Sequence, residues 1–164
     1  MKTIVIAGAS GTIGTALEEY LLEKGNSVKR LVRRGESNDS EIFWDPKNNK
    51  LDPKRLTGID AVVNLAGVGI GDKKWSQKRM DQILQSRIKA TELLSETLSG
   101  LKSDNGPAVL INASAIGYYG STGTTRITEE TKQGEGFLAL VCSEWEKSTR
   151  EAEKAGIRVA HART

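Results

Sequence analysis

Hydrophobic positions along this chain change period repeatedly, from short runs that suit strands to a three-to-four spacing that suits helices. KTIVIAG, near the N-terminus, is a β-branched run closed by glycine and predicts a buried strand. Residues 12–24 then place Ile13, Leu17, Tyr20, Leu21 and Leu22 at helical spacing, and Gly25 ends the helix. SVKRLVR reads as a second strand and EIFW as a short third. LDPKRL predicts a single helical turn, with Asp52 as its cap and Pro53 at its first position. IDAVVNLAG is a fourth strand, apolar on both faces, and residues 76–101 form a long helix with Met80, Ile83, Leu84, Ile88, Leu94 and Leu98 on one stripe. AVLINASA is a fifth strand, residues 135–155 a further helix, and IRVAHA a sixth strand.

Strands that alternate with helices and are themselves nearly continuous in apolar residues belong in a parallel sheet covered on both faces. The expected fold is therefore α/β, a doubly wound Rossmann-type sheet of order 3-2-1-4-5-6. Residues 1–164 form one domain of this kind. IRVAHART alternates like a strand entering a sheet and ends without a helix to cover it, so the expectation is the N-terminal part of a longer protein that lacks its substrate-binding part; an edge strand is the alternative.

Composition narrows the function classes. Hydrophobic residues make up 37% and charged residues 27%, and no apolar run approaches the roughly 18 residues of a membrane span. Lys2 is followed by a short β-branched run and then glycines, not by a secretory apolar region, so the expected location is cytoplasmic and no membrane partner is expected. A single cysteine excludes an internal disulfide and a multi-cysteine metal site. The net charge of +3 is too small and too evenly spread to predict a nucleic-acid partner. Nothing in the chain bears on oligomeric state.

The first strand-to-helix turn carries the chemistry. GASGTIG sets Gly8, Gly11 and Gly14 directly after a strand and at the opening of a helix. In that context glycines serve a tight turn, close approach of backbone to a pyrophosphate, and close packing of helix on strand. The helix amides and the positive end of its dipole then meet the anionic phosphates. A mere strand-to-helix turn is the alternative reading. The second strand ends Leu31-Val32-Arg33-Arg34, with no acid before Glu36. An NAD site expects a carboxylate near that strand end for the ribose 2′-hydroxyl, whereas guanidiniums suit a 2′-phosphate. Arg33 and Arg34 therefore point to NADP, unless they are a solvated strand end.

GASGTIG, the LVRR strand end, NLAG at 64–67 and SAIGYYG at 114–120 together resemble the short-chain dehydrogenase/reductase superfamily, in its extended, epimerase-like branch. WDP at 44–46, LQSRIKAT at 84–91 and FLALVCSEWE at 137–146 are similar to the NAD-dependent epimerase/dehydratase-like "epimerase family proteins" within it. The resemblance runs through the whole chain in order; such proteins are nearly twice as long and place a substrate-binding part after the sixth strand. It implies that Gly8, Gly11, Ile13 and Gly14 form the pyrophosphate loop, with Ser10 and Thr12 near the phosphates. It also implies Arg33 and Arg34 at the 2′-phosphate, Asp45 at the adenine amine, and Asn64, Leu65, Ala66 and Gly67 in a turn along the ribose. Ser114 matches, within one residue, the hydroxyl that hydrogen-bonds a substrate oxygen.

The chain departs from that family at its acid/base pair. Members that transfer hydride carry Tyr-x-x-x-Lys on the helix after strand five, where the spacing of four puts both on one face and the ammonium lowers the tyrosine's pKa. Counting back from the Gly156 turn gives Val141 and Trp145; one residue later gives Cys142 and Glu146. Tyr118 and Tyr119, in the loop after strand five, could supply a phenol or could pack. Cys142 would need a depressed pKa that Glu144 and Glu146 oppose, so a packing role is favoured. Trp145 shapes the pocket or the core. Arg87 shares the apolar stripe of the long helix, so it either binds an anionic substrate group or the cofactor, or snorkels to the helix edge. His161 is a core or edge residue. The function expected is an NADP-dependent oxidoreductase or epimerase-like enzyme acting on a small polar molecule, with a non-catalytic NADP-binding or sensing module as the rival.

Overall fold

The computed structural model describes residues 1–36, 38–101 and 105–164. Thr3–Ala7 (β1) is the central strand, and its Val5, Ile6 and Ala7 are fully buried. Helix α1 (Thr12–Glu23) leads to β2 (Ser27–Val32) and β3 (Glu41–Asp45). Lys50–Leu51 (β4) follows, and Ala61–Asn64 (β5) is reached through a 3-10 turn at Pro53–Leu56. The long helix α2 (Gln77–Leu101) leads to β6 (Val109–Ser114). A 3-10 turn at Ile116–Tyr119, helices α3 (Phe137–Lys147) and α4 (Arg150–Lys154), and strand β7 (Arg158–Arg163) complete the order. Asp52 caps the Pro53–Leu56 turn by accepting from the Lys54 amide at 3.0 Å, as the sequence predicts.

The sheet runs β4-β3-β2-β1-β5-β6-β7. Its six longer strands are parallel and keep the predicted 3-2-1-4-5-6 order. The seventh, β4, is a two-residue antiparallel partner of β3 that periodicity cannot show, because two residues are too few to establish a period. Parallel register sets Ala7 beside Asn64 and Asn64 beside Asn112, which brings the carboxyl ends of three strands level.

One face of the sheet is covered by α2, α3 and α4. Leu93, Leu94, Leu98 and Leu101 of α2 pack with Val5, Val62 and Leu110 of the strands, and Ala152 of α4 joins them. Each fully buried leucine there stabilises the fold by about 2 kcal/mol relative to exposure. Among the described residues the other face carries α1 over Ile4, Ile6, Val28 and Val63. Beside α1 the strand residues Val63, Ile111 and Ala162 line an open apolar groove of about 320 Å³ with Leu17 and Leu21.

Two expectations are corrected. The predicted stripe of α1 is only half inserted: Leu17 and Leu21 are partly buried, whereas Ile13, Tyr20 and Leu22 are each more than half exposed. Instead, Glu18 is buried and pairs with Arg30 of β2 at 2.8 Å, so an ion pair as well as apolar contact docks α1 on the sheet. The single helix expected over 135–155 is broken at Ser148 and Thr149. Their hydroxyls turn back to the carbonyls of Glu144 and Glu146, a competition with helix amides that favours a bend. Among the described residues no helix is long and apolar enough to cross a membrane.

Candidate functional site

Gly8, Gly11 and Gly14 do different work at the β1–α1 turn. A side chain on Gly8 would meet the Leu65 carbonyl oxygen at 2.8 Å, and its φ of +82° is itself costly for any other residue. At Gly14 a side chain would run into the Gly8 carbonyl and lie 2.7 Å from the Ala9 Cα, which seats α1 tightly on the turn. Gly11 differs: its nearest neighbour would be the Gly8 carbonyl oxygen at 3.4 Å, an ordinary contact, and its φ of −81° suits any residue. Packing within the chain therefore explains Gly8 and Gly14 but not Gly11. No side chain caps α1, so its first amides and its positive dipole end face outward from the carboxyl edge of β1. Ser10 and Thr12 flank this opening and are exposed, as is Ile13.

At the end of β2 the two arginines part company. Arg34 is held by Glu41, with 2.6 Å and 2.9 Å hydrogen bonds to its two carboxylate oxygens, and that partner raises the Arg34 pKa further. Arg33 is exposed and forms no ion pair among the described residues. Glu36 is turned away from the strand end: its carboxylate accepts from the Phe43 amide and Arg55, chiefly the former, and is held below the usual range. Asp45 shapes its own turn, accepting from the Lys47 amide at 3.0 Å and the Asn48 side chain at 2.6 Å. It ends β3, two strands from β1, and is not among the groups that converge at β1, β5 and β6.

The turn after β5 rests on a buried polar network. Asn64, fully buried, donates to Asn112 at 2.7 Å and to the Thr91 hydroxyl at 2.9 Å, and accepts from the Ala66 amide at 3.2 Å. Trp145 of α3 donates its indole N–H to the same Thr91 hydroxyl at 3.0 Å. Asn64 thus fixes the turn from beneath, while Leu65, Ala66 and Gly67 form its course. Gly67 lies against Arg87: a Cβ there would be 3.1 Å from the guanidinium carbon, so the Arg87 side chain would have to give way by a few tenths of an ångström.

Ser114, at the end of β6, donates to Glu146 of α3 at 2.6 Å. Glu146 also takes two 2.8 Å hydrogen bonds from Arg163 of β7, and Arg163 donates to the Tyr119 hydroxyl at 2.8 Å and stacks 3.7 Å from the Tyr118 ring centre. Burial works against the charged form of Glu146, but Arg163 and Ser114 outweigh it and hold the carboxyl below its usual range. Both tyrosines are therefore engaged by Arg163, and Tyr119 is buried. Of the two helix registers, the one facing Ser114 is Cys142 and Glu146. Val141 is buried and Trp145 joins the polar network instead, so the first of the two alignments is corrected by one residue. Burial first, and Glu146 next, push the Cys142 thiol up, although the nearby Ala115 amide and Ser114 hydroxyl oppose this. It is a packed thiol, not an activated one.

Arg87 faces inward, as its place on the stripe predicts. It donates to the carbonyls of Val68 and Ile83 at 3.1 and 3.0 Å and lies over the Trp145 ring at 5.0 Å. Burial, and then the nearby Arg79, lower its pKa. Arg79, which periodicity did not single out as a site residue, is buried on the same helix; its spacing of four from the buried Ile83 was the available signal. His161 bonds the Thr149 hydroxyl at 3.1 Å, a structural role. Among the described residues no three His, Cys, Asp or Glu side chains gather to hold a metal.

Residues 4–137 match the NAD dependent epimerase/dehydratase family. Epimerase family proteins of Mycobacterium bovis and Mycobacterium tuberculosis are each 45% identical over 161 residues, which is 98% of this chain and 52% of theirs. The nucleoside-diphosphate sugar epimerase of Corynebacterium glutamicum is similar in structure, with a TM-score of 0.84 and 36% identity over 99% of this chain and 33% of that one. Human epimerase family protein SDR39U1, solved with NADPH, gives a TM-score of 0.84 and 26% identity over 98% of this chain and 52% of its own. The chain spans about half the length of the curated relatives it matches.

Proposed function

The chain belongs to the NAD dependent epimerase/dehydratase family, and from that premise we propose that it supplies the NADP-binding part of an epimerase-like oxidoreductase acting on a small polar molecule. Gly11 carries this reading. It is a glycine that neither backbone conformation nor packing demands, beside an uncapped helix start, so the need for it comes from a ligand that approaches the backbone closely. The structure of human SDR39U1 with NADPH supports the same cofactor. When bound, a nicotinamide dinucleotide exchanges a hydride with a substrate carbon.

The chain's residues bind and orient. The α1 amides meet the pyrophosphate, and Arg33, exposed at the β2 end, meets the 2′-phosphate. Arg34, paired with Glu41, stiffens that strand end. The turn at Leu65–Gly67 lies along the ribose. Ser114 is the catalytic residue: its oxygen accepts from a substrate hydroxyl while its own proton is directed at Glu146. Glu146, Arg163 and Tyr119 act through Ser114 and are positioning residues.

Fluorescence titration of the chain with NADPH and NADH tests this. Saturable NADPH binding is expected, with Arg33→Ala weakening NADPH at least tenfold and leaving NADH unchanged; no NADPH binding would sink the proposal. One observation favours a second reading, a binding or sensing module without turnover. Cys142 and Glu146 occupy the positions facing Ser114 where a tyrosine and lysine would carry the chemistry. Turnover with NADPH and a carbonyl or sugar-nucleotide panel, abolished in Ser114→Ala, separates the two.

A further inference from the structure

Two cations on one face of α2 are left over once the glycine loop, the β2 end and Ser114 are accounted for. Arg79 and Arg87 sit about two turns apart. Elsewhere, the guanidiniums of Arg30, Arg34 and Arg163 meet the buried carboxylates of Glu18 and Glu41 and the partly buried one of Glu146 at 2.8, 2.6 and 2.8 Å. Arg79 has no such partner. It is 8% exposed, and its Nε is buried with no hydrogen-bond partner. Its other nitrogens reach the Gly69 carbonyl at 2.5 Å, Gln82 at 3.3 Å and the solvent-facing carboxylate of Asp72 at 3.4 Å. Arg87 is half-buried, and its two hydrogen bonds, to Val68 and Ile83, both leave from Nη1 and end on neutral carbonyls. A buried cation whose one carboxylate partner is an exposed loop side chain at 3.4 Å, beside a half-buried cation bonded only to neutral carbonyls, describes a site for an anion.

We propose that Arg79 and Arg87 together hold an oxoanion of the substrate, a phosphate or a carboxylate, between the loop at 67–76, the first half of α2, and α3. This rests on the reading that the strand ends carry a dinucleotide-dependent site. The position separates it from the cofactor's pyrophosphate. Arg87 presses on Gly67, stacks over Trp145 and faces Cys142, which lies against Ser114, so an anion held there sits on the Ser114 side of the β5 turn. The Nε and Nη2 edge of Arg87 forms no hydrogen bond among the described residues and presents the fork that matches an oxoanion. An oxoanion that takes the place of the Gly69 carbonyl and the Asp72 carboxylate meets the corresponding edge of Arg79. That exchange asks only for a shift of a loop that contains Gly67, Gly69 and Gly71 and is mostly exposed. Lys73 and Lys74, exposed in the same loop, draw anions toward it.

The test is a titration of the ¹⁵N-labelled chain with inorganic phosphate and with acetate, at saturating NADPH so that the glycine cradle is filled, following the arginine Nε–H resonances. At least one anion should shift the Arg79 and Arg87 resonances saturably. Arg87→Gln should weaken it at least tenfold, Arg87→Lys should fall between, and NADPH affinity should stay within twofold. Arg79→Gln should weaken the anion similarly; if it fails to fold, the Arg87 series decides alone. The proposal is overturned if neither anion moves these resonances, if Arg87→Gln leaves anion affinity unchanged, or if that variant weakens NADPH as much as the anion, which would assign the guanidinium to the cofactor. Absence of NADPH binding would defeat the cofactor reading instead, and the same titration on the chain alone would still decide whether the two arginines bind an anion.

Discussion

Gly11 and Gly14 stand three residues apart in one motif, yet they answer to different constraints. A methyl group at Gly14 would collide with backbone of Gly8 and Ala9, which cannot swing aside as a side chain can. Gly14→Ala should therefore lift α1 from β1 and cost about 3 kcal/mol or more, visible as a lowered urea midpoint. A methyl group at Gly11 finds an ordinary 3.4 Å contact and an allowed backbone. Gly11→Ala should cost about 1 kcal/mol or less in urea unfolding, the difference between glycine and alanine at the N-cap of α1. It should nevertheless weaken NADPH at least tenfold in a fluorescence titration. Equal affinity in parent and Gly11→Ala chains would show that the cradle does not need that glycine for a ligand. The sequence motif names all three glycines alike; only the contacts each would make tell the fold's requirement from the ligand's.

Between elements, the Glu146–Arg163 pair fastens α3 to β7, the edge strand of the sheet. Its carboxyl has a pKa depressed in the folded chain, so its contribution is fully present above the unfolded carboxylate value. That contribution is lost as pH falls from there through the folded value. Removing one partner of a pair this enclosed leaves the other unanswered, so Glu146→Gln should cost about 3 kcal/mol at pH 7. In urea unfolding from pH 7 to pH 3 the gap between parent and variant should narrow toward low pH; a constant gap would mean that the carboxylate charge is not what binds the elements. This clamp was not legible in the sequence, because Glu146 and Arg163 are far apart in the chain and each reads alone as a polar position. What was legible follows periodicity and short motifs: the order of six parallel strands, the long α2 stripe, the glycine turn and the Asp52 cap. The β3–β4 pairing and the break at Ser148–Thr149 were not, since one is two residues long and the other depends on hydroxyls finding carbonyls of the preceding turn. The helix register facing Ser114 also needed the fold. A count back from Gly156 passes through that break and is ambiguous by the one residue that separates Trp145 from Glu146.

For the molecule as a whole, the question is whether the separate parts of the cradle act as one site. The glycine turn belongs to β1 and α1, Arg33 to β2, and the Leu65–Gly67 turn to β5, and parallel register holds these three strands side by side. A ligand that engages all of them binds the folded chain and has no counterpart in the unfolded one, so it must raise global stability by mass action. At a hundredfold excess over its Kd the gain is about 2.7 kcal/mol. For a chain of this size that corresponds to a rise of roughly 5–10 °C in Tm. NADPH should produce such a rise in a thermal melt followed by circular dichroism. NADH at the same concentration should produce a smaller one, because it engages the α1 amides and the β5 turn but offers Arg33 no phosphate. Arg33→Ala should bring the two cofactors together by lowering the NADPH rise, with the NADH rise unchanged. An NADH rise equal to that of NADPH in the parent chain would leave the basic end of β2 without a role in cofactor choice, while preserving the dinucleotide site itself.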